Sequence, residues 1–159
     1  MTLTQTLTLT AAAGAGVVGG VLYGFSAFVM RGLDASSPAT AIAAMQQINR
    51  FAPRGPLLVP LVGTALLCLL LALRAVVDLR DGDRTAWWML AGAALYLVAF
   101  LVTAAYHVPR NDALMAVDPT SAGASGAWRE YAAGWTRMNH VRTAAALGAA
   151  AAFVGSAVR

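Results

Sequence analysis

Four stretches of the chain are almost continuously apolar, at about 7–30, 56–78, 86–107 and 140–158. Each approaches or passes the roughly 20 residues that a helix needs to cross a bilayer. The runs are continuous rather than alternating, which argues against a transmembrane barrel. In lipid a helix satisfies its own backbone polar groups. The pattern therefore predicts an all-α, integral membrane four-helix bundle formed by one domain over 1–159. Between the first two runs lies DASSPATAIAAMQQINRFAPRGP. Ser37 followed by Pro38 is a helix start, a hydroxyl cap before a proline at the first helical position. The helix it opens, about 38–52, is too short and too polar to span. It places Ile42, Met45 and Asn49 on one face and reads as an interfacial helix.

Polar positions inside the apolar runs are few and ordered. In the first run Gly16, Gly20 and Gly24 recur every four residues, which predicts a face for close helix approach. Tyr23, Ser26 and Met30 form the adjacent stripe. In the third run Tyr96, Phe100, Thr103 and His107 fall at i, i+4, i+7 and i+11, on one side of a helix. Pro109 is expected to break that helix and turn Asn111 and Asp112 back over its end. The last helix is expected to start near Ser125. It carries Trp128, Tyr131, Trp135, Asn139 and Arg142 on one stripe, with His140 displaced by about 100°.

Composition supports the membrane reading: 59% of residues are hydrophobic, 11% are charged, and mean hydropathy is +0.66. The net charge of +4 comes from arginine alone. The arginines are scattered over loops and helix ends, so no nucleic-acid partner is expected. Cys68, the single cysteine, reads as a small buried hydrophobe. The first run lacks a charged leader and is expected to be retained as a span.

If the four runs alternate in direction, the 30–55 and 107–139 connections share one side of the membrane. Arg31, Arg50, Arg54, Arg110, Arg129, Arg137 and Arg142 fall on that side, and Arg74, Arg80, Arg84 and Arg159 on the other. The excess predicts a multi-pass protein of the cell membrane with its polar end facing the cytoplasm. Ionisable groups near the headgroups tend to pair or to face a wet interior. Asp112 is the expected partner of Arg142, Arg110 or Arg50.

Two segments carry a resemblance. YxxxFxxTxxxHVPxNDAL over 96–114 and WxxxNHVRT over 135–143 are similar to the anthrone oxygenase-like membrane family, also called domain of unknown function 1772. FSAFVM at 25–30 and MQQINR at 45–50 resemble its first helix and interfacial segment. His107 stands where the family more often has Asn. The resemblance implies oxidation of anthrones to anthraquinones without a bound cofactor. For that chemistry this chain offers His107 or His140 as the base, since imidazole titrates near neutral pH, and Asn139 and Arg142, with Asn111, as donors to an oxyanion. Tyr96, Trp128, Tyr131 and Trp135 would stack on a planar ring, and Tyr23, Asn49, Thr103 and Asp112 would complete the substrate site. The expected partners are membrane lipid and a small planar aromatic or quinone-like ligand. The glycine face leaves room for a homo-oligomer.

Two alternatives stand beside this reading. A metal-dependent oxygenase would hold iron or copper on His107, His140 and Asp112. A non-enzymatic membrane protein would bind a lipid, a quinone or a protein partner, with the polar end as a structural network.

Overall fold

The computed structural model describes residues 1–158 and contains five long helices and no strand among them. Arg159 lies outside the described residues. The helices are α1 (Leu3–Asp34), α2 (Pro38–Phe51), α3 (Leu58–Arg80), α4 (Ala86–Met115) and α5 (Ala124–Ala157). Three of them, α1, α3 and α4, are long and apolar enough to cross a membrane. Their outward faces are apolar too. Leu66, Leu69, Leu70 and Leu73 of α3 are all exposed, a surface suited to lipid rather than water. The fourth expected span, 140–158, is the C-terminal part of α5 and is not among the three. It opens with His140 and Arg142 and is otherwise built largely of alanine, which makes it less apolar than the others.

Local chemistry sets the helix ends. Thr2 and Gln5 form a reciprocal cap at the start of α1. Ser37 accepts from the Thr40 amide and Pro38 occupies the first turn of α2, as the sequence predicts. The expected cap at Ser125 does not form. α5 starts two residues earlier than such a cap would set it, at Ala124 after Gly123, so Ser125 lies inside the helix. At a rise of ~1.5 Å per residue this 34-residue helix is about 51 Å long.

Pro109 does not break α4. The five residues before Val108, Thr103–His107, form a π-helical turn, with the Val108 amide donating to the Thr103 carbonyl. The widened turn accommodates the proline, whose ring would otherwise clash with the carbonyl four residues back. The helix then continues to Met115, so Asn111 and Asp112 extend its axis instead of folding over its end. α1 contains a matching π-turn at Phe25–Val29.

α5 packs along both α1 and α4, α4 packs on α3, and α3 closes against α1. Close approach is made at small residues other than those expected. A Cβ on Gly19 would meet Leu147, one on Gly14 would meet Thr64, and one on Gly92 would lie 2.8 Å from the Phe153 ring. Gly16 and Gly20 face open space, so their stripe points away from the bundle. α2 lies over the N-terminal half of α5 and the end of α4. Gln46 secures it by donating to the Leu114 and Val117 carbonyls at 2.9 and 2.8 Å. Trp128 of α5 donates to Asp34 at the end of α1, 2.8 Å away.

Candidate functional site: a buried arginine beside an apolar cavity

Asn139 is fully buried in α5, between the two π-turns. Its Nδ2 donates to the Leu22 carbonyl at 2.7 Å and to Ser26 Oγ at 2.6 Å. Ser26 sits in the π-turn of α1 and Leu22 just before it. Asn139 Oδ1 accepts from Arg142 Nε at 2.8 Å. Arg142 Nη1 then donates to Thr103 Oγ1 at 3.2 Å, and Thr103 opens the π-turn of α4. Two widened turns and one asparagine thus hold a single guanidinium. π-turns recur at functional sites, where they re-aim a side chain at the cost of regular helix geometry.

Arg142 is 6% exposed. The ion pair expected with Asp112 is not formed. Asp112 is exposed, and Arg74–Asp78 is the one ion pair among the described residues. What accompanies the buried charge is a ring: the guanidinium carbon lies 5.1 Å from the Trp135 ring centroid. Its Nη2 has no protein partner among the described residues. A buried cation without a counter-ion is costly, and a negative charge brought beside it is correspondingly favoured.

The neighbours of Arg142 are equally incomplete. His107 is 1% exposed and stands edge-on to Trp135, with ring centroids 5.2 Å apart. Neither of its nitrogens makes a hydrogen bond, although the Met138 backbone is near. Trp135 Nε1 and Asn49 Nδ2 are also buried with no partner in good hydrogen-bond geometry, although Tyr131 lies beside Asn49. Buried polar atoms are almost always paired, so several orphans at one place mark a site. His107, Trp135, Asn49 and Arg142, with Thr103 and Asn111, share the wall of one cavity of about 220 Å³. The rest of the wall is apolar, including Leu22, Phe25, Met45, Ile48, Leu57 and Leu61.

The structure therefore assembles His107, Arg142, Thr103, Asn111, Asn49 and Trp135, with Asn139 directly behind them. Tyr131 stands one layer out and donates to Asn111 Oδ1 at 2.9 Å. Burial pushes its phenol up to about 12, so it stays a protonated donor at neutral pH. Asp112 lies in an exposed groove beside the cavity, with Arg50 and Arg54.

Four expected residues are elsewhere, among them Trp128, which is hydrogen-bonded to Asp34 and absent from the cavity wall. Tyr96 is buried below the cavity, its hydroxyl donating to the Pro60 and Leu61 carbonyls at 3.2 and 3.1 Å. Tyr23 is exposed on the outer face of α1. His140 is exposed in a different groove, with Asp34, Thr136 and Arg137. Its separation from His107 also disperses the metal-ligand set expected for iron or copper. No three His, Cys, Asp or Glu side chains among the described residues stand close enough to share an ion.

Sequence reasoning did not include Ser26 or the Leu22 carbonyl in the site, and it did not foresee either π-turn. Pro109, two residues beyond the turn in α4, is the one local signal of strained helix there.

No curated protein and no solved structure matches the chain. The family model described as anthrone oxygenase matches residues 49–152, well over half its length, from the end of α2 through most of α5. The match takes in every polar cavity residue named above and begins after FSAFVM. The chain belongs to the anthrone oxygenase family.

Proposed function

We propose that the protein is a membrane oxygenase that oxidises a planar, anthrone-type substrate in this cavity without a bound cofactor. One observation carries the reading. A buried guanidinium, lacking any carboxylate, faces an apolar cavity beside an unpaired imidazole. That arrangement suits a flat, mostly apolar acid that becomes an anion during reaction.

An anthrone has an acidic C–H between two rings, conjugated through them to the ketone across the central ring. His107 takes that proton as general base. The charge moves to the ketone oxygen, and Arg142 Nη2 receives it, a donor preorganised by Asn139 and Thr103. The carbanion passes one electron to dioxygen, the resulting radical pair collapses to a peroxide anion at the same carbon, and that anion takes the proton back from His107 to become a hydroperoxide. Loss of water from the hydroperoxide leaves the second ketone. One anthrone and one dioxygen give one anthraquinone and one water. Trp135 supplies an aromatic wall, and Asn49 and Asn111 are positioned for ring substituents. Asn139 has spent both amide hydrogens on α1, so its role is to hold Arg142 rather than to touch substrate. His140 lies too far from the cavity to share the proton.

The same reading places the C-terminal half of α5 as a fourth span and α2 at the membrane interface, in a bundle of the cell membrane. The arginine excess at the cavity end favours the cytoplasmic side for the site.

The test is oxygen uptake by protein in lipid nanodiscs supplied with anthrone. The reading predicts dioxygen consumption equal to the anthraquinone formed, at a rate proportional to protein. A rate equal to that of empty nanodiscs would overturn it.

A further inference from the structure

The cavity wall includes side chains that are themselves on the molecular surface. Val21 of α1 is 36% exposed, Leu58 at the start of α3 is 42% exposed, and Val108 of α4 is 47% exposed. All three are apolar, and each comes from a helix long and apolar enough to span a bilayer. The connection between α2 and α3, which carries Pro53 and Leu57, is not α-helical and forms part of the same wall. The cavity also shares Asn49 and Asn111 with the exposed groove of Arg50, Arg54 and Asp112, and Pro53 and Val108 line both. The cavity thus has one apolar rim and one polar one.

We propose that the Val21–Leu58 rim is a lateral portal, through which an uncharged planar aromatic enters from the hydrocarbon of the bilayer. This rests on the membrane placement and the ligand site proposed above. An apolar aromatic concentrates in lipid, and an apolar rim lets it pass without shedding hydrogen bonds or crossing a charged surface. The polar groove, with two arginines and a carboxylate, offers such a molecule no comparable path.

The experiment uses nanodiscs and a protein with Trp87, Trp88 and Trp128 changed to Phe. Trp135 in the cavity wall is then the sole tryptophan. Stopped-flow quenching by anthraquinone gives its entry and exit rates. Val21→Phe with Leu58→Phe narrows the portal, and Asp112→Phe narrows the groove. The portal variant is expected to slow entry and exit together, by tenfold or more, with little change in Kd; the groove variant is expected to change neither. Lipids brominated on their acyl chains supply a second reading that needs no aromatic ligand. They should quench Trp135 in the parent and quench it less in the portal variant. Rates that slow only in the groove variant, or bromolipid quenching that ignores the portal substitutions, would overturn the portal. Bromolipid quenching that does respond, with no anthraquinone binding at all, would retain the portal and sink the ligand reading.

Discussion

Two ends of the same bundle treat buried polar groups in opposite ways. Around Tyr96, Cys68 and Phe153 the helices are closely packed. Alanine dominates, Gly92 receives the Phe153 ring, and the Tyr96 hydroxyl is satisfied by two carbonyls. Around Arg142 the helices part. Two π-turns widen them, a cavity opens, and His107, Trp135 and Asn49 keep unpaired atoms. Both ends are built from similar alanine-rich segments. The difference lies in what each leaves unfinished: the packed end completes its interactions within the chain, and the open end leaves them for something else to complete.

Substitutions can break this contrast or sharpen it. The largest effect is expected at Arg142. Arg142→Met should cut turnover by about 10²–10³, the usual loss when one preorganised oxyanion donor is removed. Its unfolding midpoint in detergent should fall little, because an unpaired buried charge goes with it. Oxygen uptake and thermal unfolding, measured on the same sample, check both halves.

His107→Phe sharpens the contrast further. Removing a general base should cost about 10²-fold or more in turnover. Stability should hold or rise, because the substitution replaces two orphaned nitrogens with apolar surface. A variant that unfolds readily would return His107 to a structural role.

At the packed end the pattern should invert. Gly92→Ala pushes a methyl group against Phe153 and should cost about 1–3 kcal/mol of stability, the usual range for overpacking. Tyr96→Phe removes a satisfied hydrogen bond and should cost about 0.5–1.5 kcal/mol. Neither should alter turnover per folded molecule. Reversible unfolding in detergent, with activity normalised to folded protein, measures both.

Much of this was legible in the sequence and some was not. Continuous apolar runs give away α1, α3 and α4, because length and composition alone make a helix able to cross a bilayer, whatever its partners. The stripe Trp135, Asn139, Arg142 pointed correctly at the bundle interior, since helical spacing survives in any context. Gly16 and Gly20 share a spacing that mimics a packing face, yet Gly14 and Gly19 make the contacts. Which of two glycine stripes faces inward depends on the neighbouring helix, which spacing along one helix does not encode. Pro109 read as a break because proline ordinarily ends a helix, and no spacing in the sequence marks the π-turn at Thr103–His107 that absorbs it. Asp112 looked like the counter-ion of Arg142 by charge alone, and its position beyond the turn puts it in the groove instead. His140 follows Asn139 directly, but one residue is about 100° of helix, enough to put it outside.

The central claim is that Arg142 is left unpaired in order to meet an anion in the cavity. The most direct test is equilibrium titration with anthrone under exclusion of dioxygen, at a pH where its anion is populated, in wild type, Arg142→Met and Tyr96→Phe. Binding weakened at least tenfold in Arg142→Met and unchanged in Tyr96→Phe is the predicted result. Equal affinity in all three, or no binding to the wild type, would contradict it.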